Sequence, residues 1–587
     1  MPLARRTAAA RTPRRASPRA ALTAAEALKH RFGRAAAADK RRWLAVLGHA
    51  ELPRASDVAR FHELLCFWRA YPDDRGVLAV VERQLAGFAR RPDVIRHARA
   101  LANSGIAGTE IRFRFFAPTA SWLARRWPDR LRADWSEIDV EALEPWLPRL
   151  AHPAEIPALD EIDLSVREWI ERLKGPAETD AAFLVRRLET LPMDAMARET
   201  LYDQLDPSLI LAPGPGTPSR TRARRRAAPA HWQRGELSRR RLAPGAILRL
   251  RPRAVRECAP REGARLIDLA REAMVTRSRD LDAFSYGDPR DVRVLDFGEG
   301  LEFVGIGVSP ERRLLLESVY GYLTLKNGVP IGYVLTASLF GSAEIAYNVF
   351  DTFRGAEAAP IYARTLAMTR WLFGCDAFTI VPYQLGEGND EALGSGAWWF
   401  YQKMGFVPGD RAVLAVMRAE LKQMKRDPRH RSGARTLARL ARANLHLFLG
   451  RPRPDVMGEL WLANVGLHTS RFLAQRFGHD RERARGACAE QAATVLGGAP
   501  DRGWSAAERE AWERWAPLVL VLPGVERWST AERRALVEVI RAKGGRRESD
   551  FVRRFDQHAR LRAAIRRLAA RAPAAPRRSS GAARARA

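Results

Sequence analysis

Tyr401 lies in the string Gly394-Ser395-Gly396-Ala397-Trp398-Trp399-Phe400-Tyr401-Gln402-Lys403-Met404-Gly405-Phe406. A phenol on such a helix can give a proton to a leaving group, or it can only pack its ring. Upstream, Arg354-Gly355-Ala356-Glu357-Ala358-Ala359 joins an apolar run to a helical pattern. Free amides and the dipole at such a helix start favour an anion. Equally, Glu357 there can do no more than charge a helix N-terminus. Cys375 stands at a helix–strand junction with no His nearby and reads as core. Trp398, Trp399 and Phe400 offer rings for stacking on a ligand. Three successive helical positions point in different directions, so at least two of them read as buried. His30, His49, His62 and His97 are isolated, and no metal-ligand spacing is present.

These residues need elements to position them. Residues 314–325 are apolar, aromatic and β-branched, as a strand is. Asn327-Gly328 is the strongest short hairpin signal, because both residues tolerate positive φ. Residues 331–340 form the returning strand and 343–350 a third. A helix opens near Ala358 and runs to about Phe373. A fourth strand spans 377–383. The Trp-Trp-Phe-Tyr helix follows, and a last strand is expected from Phe406 to about Met417. A helix over 261–275 precedes the whole unit.

This order, over about 295–418, resembles the GNAT family of acyl-CoA N-acyltransferases. Ala397, Tyr401, Gly405 and Phe406 fall on the family's pattern Asn-x-x-Ala-x-x-x-Tyr-x-x-x-Gly-Phe, with Gly394 in place of the Asn. The family's diphosphate loop reads Arg/Gln-x-x-Gly-x-Gly/Ala. Arg354 and Ala359 match it, and Glu357 replaces its first Gly. The resemblance implies an α/β mixed-sheet domain that uses acetyl-CoA or another acyl-CoA as co-substrate. It implies that the sheet splays where Val349 and Phe350 face residues 378–381. It places coenzyme A against Val349, Phe350, Arg354, Gly355, Ala356, Glu357, Ala358 and Ala359. It makes Tyr401 the acid that protonates the leaving thiolate. Glu344 becomes the base for the incoming amine, with Glu317 second. For Glu357 not to repel a diphosphate, its carboxylate must point away from the loop. Two other readings stand beside this one. The first is a non-catalytic scaffold or ligand sensor of the same fold, which Glu357 and Gly394 favour. The second is a nucleic-acid-associated factor that binds through basic flanks.

At 587 residues the chain has room for three or four domains. The expected division is a basic arm at 1–20, a mainly helical domain at 21–211 and a linker at 212–230. The GNAT-like domain follows at 231–424, then a helical domain at 425–571 and a basic tail at 572–587. The linker rests on Pro213-Gly214-Pro215-Gly216-Thr217-Pro218 and the arginines after it. Ser505-x-x-Glu508 and Ser529-x-x-Glu532 each form a capping box, so two helices of one bundle should begin there. The four cysteines, Cys66, Cys258, Cys375 and Cys488, are scattered singly, which fits a reducing cytoplasm. No apolar run is long enough for a membrane span.

The charge of +31 is unevenly spread. Residues 291–410 carry 14 Asp/Glu against 8 Lys/Arg, net −6, whereas 411–587 carry 17 against 38, net +21. Basic flanks attract nucleic acid through counterion release. Only 8 of the 99 basic residues are lysines, however, so the Arg, Ala and Pro bias of a GC-rich coding sequence explains the same charge. The acceptor amine is left open by the sequence.

Overall fold

A computed structural model of the chain describes residues 17–225 and 230–573. The basic arm expected at 1–20 and the tail at 572–587 lie outside these residues, apart from short stubs. At the first stub Ser17 caps the helix Pro18–Glu26, accepting from the Ala20 amide. The helices Ala55–Ala70 and Arg75–Gly87 follow the apolar spacing. Asp74 starts the second of them by accepting from the Val77 amide. The strands β1 (Ile111–Arg114), β2 (Leu131–Ala133) and β3 (Ser208–Leu211) make a small antiparallel sheet in the order β1-β3-β2.

The apolar interior falls into two clusters. One is confined to residues 111–211 and Val275. The other joins residues 21–106 to residues 223–569. The stretch read as a linker is packed against the first helices. Thr217, Ser219, Thr221 and Ala223 are buried. The Arg69 guanidinium donates to the carbonyls of Thr221 and Arg220 at 2.7 and 2.9 Å. Residues 226–229 of that stretch lie outside the described residues.

A nine-stranded sheet follows. Its strands are β4 (Ala254–Glu257), β5 (Gly287–Asp296), β6 (Leu301–Val308), β7 (Ser318–Lys326), β8 (Val329–Leu339), β9 (Ser342–Val349), β10 (Ala377–Ile380), β11 (Val407–Pro408) and β12 (Leu445–Phe448). Neighbours run β4-β5-β6-β7-β8-β9-β10-β12-β11, and all pairs are antiparallel except β9 with β10, which is parallel. Asn327 and Gly328 take φ of 50° and 77° between β7 and β8, as the hairpin signal requires. The helix Pro260–Val275 packs on β5. The helix Ala358–Phe373 connects β9 to β10 and stops at Gly374, which takes φ 80°. The chain is therefore mixed α/β, with many helices around one mixed sheet.

β9 and β10 pair only at Ser342, Ala343 and Glu344 with Ala377, Phe378 and Thr379. Past Glu344, β9 keeps β8 on one side and no strand on the other among the described residues. β10 itself ends one residue after Thr379, at Ile380, so the fork lies between β9 and the chain that leaves β10, and Phe378 and Thr379 face Ala343 and Glu344 rather than Val349 and Phe350 as expected.

Two expected elements differ. The strand expected from Phe406 to Met417 is cut to Val407–Pro408, and the helix Arg411–Arg426 replaces the rest. Asp410 accepts from the Val413 amide and nucleates that helix, whose apolar residues recur at three- and four-residue steps. In the stretch expected to be a helical domain, the helix Ala434–Leu440 ends early and Leu445–Phe448 becomes β12. Its alternating Leu-His-Leu-Phe is completed by pairing with β10, which helical spacing cannot foresee. Both capping boxes form, at the starts of Ala506–Val521 and Thr530–Gly544. The four cysteines are buried and unpaired. Among the described residues no helix is long and apolar enough to cross a membrane.

Candidate functional site

The fork encloses a cavity of about 290 Å³. Tyr347, Asn348 and Val349 from the free half of β9 form one wall. Adjacent residues on a strand point to opposite faces, so the cavity meets the strand's edge. Arg354, Gly355 and Ala358 form the second wall, and Glu391, Ala392, Ser395, Ala397, Phe400 and Tyr401 the third.

Tyr401 is 3% exposed, with its ring against Tyr362, Phe400 and Phe406. The residue lines the cavity, and its hydroxyl makes no hydrogen bond among the described residues. Burial pushes its phenol up from the usual value, so it stays protonated through the neutral range. Tyr347 differs, since its hydroxyl donates to the Ala358 carbonyl at 3.4 Å. Trp398 and Trp399 are buried, and their indoles donate to the Leu440 carbonyl and the Ser432 hydroxyl at 2.9 and 3.0 Å. Their role is to seat the Tyr401 helix on the segment that follows.

The loop from Arg354 to Ala359 enters the helix Ala358–Phe373. Gly355 takes φ 79°, a left-handed turn. The Ala356 amide donates to the Phe353 carbonyl. The amides of Gly355, Glu357, Ala358 and Ala359 have no acceptor among the described residues. Ala356 is buried, and Ala359 packs on the core. Neither lines the cavity.

Glu357 turns inward. Its carboxylate lies 2.7 Å from the Lys326 ammonium at the end of β7. Lys326 in turn sits over the Tyr71 ring. The carboxylate therefore points away from the loop, towards an internal cation that the sequence does not announce.

Arg354 is partly exposed. It pairs with Asp351 at 2.9 Å and with Glu391, and its Nε donates to the Val349 carbonyl at 3.3 Å. Phe350 is buried under the Arg277 guanidinium, 3.6 Å from the ring centre, and lies off the cavity wall.

Glu344 sits at the vertex of the fork, paired across the strands with Thr379 and Ala337. It does not line the cavity. Burial, and then the charge of Glu317, push its carboxyl above the usual range. Thr379 receives His446 Nδ1 at 3.1 Å, and His446 Nε2 reaches Glu459 at 2.8 Å, so polar side chains continue from the vertex.

Sequence reasoning passed over Arg279, Asn348, Asn389 and Glu391. Asn389 caps the helix Asp390–Ser395 by accepting from the Ala392 amide, so Asn-Asp-Glu was a usable helix-start signal. Arg279 carries no local signal. It follows the helix Pro260–Val275 and meets Glu391 at 3.4 Å and the Tyr333 hydroxyl at 3.0 Å. Among the described residues no group of three His, Cys, Asp or Glu side chains is placed to hold a metal ion.

The arrangement can hold a slender ligand beside a free strand edge, a phenol without a hydrogen bond and the open amides of Gly355 and Ala358. Comparison with protein-family models, with curated proteins and with solved structures finds no match to this chain.

Proposed function

We propose that this chain transfers an acyl group from a coenzyme A thioester to an amine, as GNAT enzymes do. The observation that carries this reading is Tyr401, buried with no hydrogen bond to its hydroxyl and lining a cavity beside the unpaired half of β9. At about 290 Å³ the cavity is near the lower end for ligand sites, a size suited to a pantetheine arm. The nucleotide would lie outside, with its diphosphate at the open amides of Gly355, Glu357, Ala358 and Ala359.

In this reading the amine nitrogen attacks the thioester carbonyl carbon. The carbonyl oxygen takes negative charge against the free edge of β9, where backbone amides can stabilise it. The C–S bond breaks, and Tyr401 gives its proton to the departing thiolate. The proton lost by the amine passes to Glu344 through water, because Glu344 stands at the vertex and off the wall. Release of free thiol from acetyl-CoA in the presence of an amine panel, with mass spectrometry for co-purified coenzyme A, tests the reading. Neither bound coenzyme A nor thiol release would leave the ligand-sensor reading, which the inward ion pair of Glu357 also accommodates.

A nucleic-acid partner is favoured by one separate observation. Arg418, Lys422, Lys425, Arg426, Arg435 and Arg439 are exposed and have no carboxylate partner among the described residues. They belong to the segment on which the Tyr401 helix is seated. Binding that weakens steeply with salt would support it, and salt-independent or absent binding would end it.

A further inference from the structure

Two guanidinium groups from distant parts of the chain converge on one carboxylate at the cavity mouth. Arg354 binds Glu391 Oε1, and Arg279 reaches Oε2 at 3.4 Å. Each oxygen of the carboxylate thus has its own arginine. Two arginines on two oxygens of one anion is how proteins hold a phosphate or a carboxylate of a ligand. Arg279 is anchored independently by its bond to the Tyr333 hydroxyl, and Arg354 by its bond to the Val349 carbonyl. Both cations would therefore stay in place if Glu391 left.

Glu391 is supplied by a short helix set between glycines. The helix Asp390–Ser395 has six residues and forms part of the cavity wall. Gly386 and Gly388 precede it and Gly396 follows it, with φ of 126°, 64° and 67°. The Glu391 side chain is 50% exposed, so its carboxylate can pass into water with little desolvation change.

We propose that Glu391 is a built-in placeholder for an anionic group of the ligand, and that Arg279 and Arg354 together form the subsite this group occupies once Glu391 is displaced. The shared chemistry is an oxyanion, either a phosphate of the acyl donor or a carboxylate of the acceptor. The inference rests on the reading of this cavity as a ligand site.

The test is titration calorimetry on the full chain and on Glu391→Gln, Glu391→Ala and Arg279→Ala, with coenzyme A, pantetheine, pyrophosphate and succinate as probes. Thermal melts confirm that each variant is folded. If the donor phosphate is the anion, both Glu391 variants should bind coenzyme A about three- to tenfold more tightly, as expected for loss of an exposed competing ion pair. Arg279→Ala should bind it about ten- to a hundredfold more weakly, as expected for loss of a charge-assisted hydrogen bond. Pantetheine, which has no phosphate, should respond to neither change. If the acceptor carboxylate is the anion, succinate should show this pattern in place of coenzyme A. Coenzyme A binding that ignores all three substitutions, with no succinate response, overturns the subsite and leaves the acyl-CoA reading standing. Pyrophosphate or succinate binding that follows the pattern, without any coenzyme A binding, supports the subsite and ends the acyl-CoA reading. Absence of binding by every probe overturns both.

Discussion

The carboxylate of Glu357 meets the ammonium of Lys326 at 2.7 Å, and the pair is buried between the end of β7 and the start of the helix after β9. This contact sets the direction of the whole loop. It also decides what a Gly at position 357 would do. Glu357→Gly removes a charge that does not face the anion site, and it leaves Lys326 buried without a partner. The variant should lose about 3–5 kcal/mol of stability, the range for breaking a buried pair from one side. It should not gain affinity for coenzyme A. Replacing both partners, Lys326→Met with Glu357→Leu, should recover most of the loss. Denaturant melts of the three variants decide the matter, and a Glu357→Gly protein as stable as the parent would remove the structural role of the pair.

Tyr401→Phe keeps the buried ring and deletes only an unpartnered hydroxyl. Stability should change little, because no hydrogen bond is lost. Turnover should fall by about 10²–10⁴-fold, the share carried by a positioned acid. Burial raises the phenol, so the parent's turnover should show no alkaline decline below the ordinary tyrosine value. Coenzyme A affinity should be almost unaltered. Equal turnover of Tyr401→Phe and parent would remove the acid role.

Glu344 gives a prediction in stability as well as in rate. Its folded carboxyl lies above the usual range through burial and Glu317. The folded state therefore holds this proton more tightly than the unfolded state. Stability is greatest below the ordinary carboxylate value and is lost as pH rises through the raised one. Glu344→Gln should melt higher than the parent at pH 8, and the gap should close at pH 4. The same change should slow acyl transfer. A melting gap that is independent of pH would show that this carboxyl is unperturbed.

Much of this fold is written locally. Asn327-Gly328 fixes its hairpin with two left-handed residues, and Ser505 and Ser529 fix helix starts within four residues. The Tyr401 helix and the Gly turn after it are local in the same way. What could not be read are partnerships across long stretches of chain. Lys326 and Glu357 are 31 residues apart, and Arg279 and Glu391 are 112 apart. Neither pair has a sequence signature. Leu445–Phe448 is too short to declare itself a strand, and it becomes one only because β10 offers it an edge. Residues 411–417 look like the end of a strand because Val413 and Val416, apolar and β-branched, stand in the first turns of a helix.

Asp556 reports on the junction between the C-terminal helices and the sheet. Its carboxylate accepts from the Gly341 amide at 2.8 Å, in the turn from β8 to β9. Burial pushes its pKa up to about 6 from 3.8, against the pull of Arg562 and the Gly341 amide. The stability of the parent should fall as pH rises from about 4 through about 6. Asp556→Asn keeps an acceptor and removes the charge. It should melt higher than the parent at pH 8 and no higher at pH 4. Circular dichroism melts at the two pH values check this, and a parent-like melt at pH 8 would contradict it.

β10 is gripped more firmly from the far side than from the near one. It matches β9 at three positions and β12 at four, and Leu449 and Arg453 fasten Asp376, the residue before it, to the later chain. The cavity lies on the other side of that grip, between the unpaired half of β9 and the two short helices that carry Glu391 and Tyr401. A molecule lodged there would act as a rivet across a seam that no strand closes among the described residues. Its arrival should be felt as slower amide exchange along residues 347–349, on the strand that shares the cavity with the tyrosine.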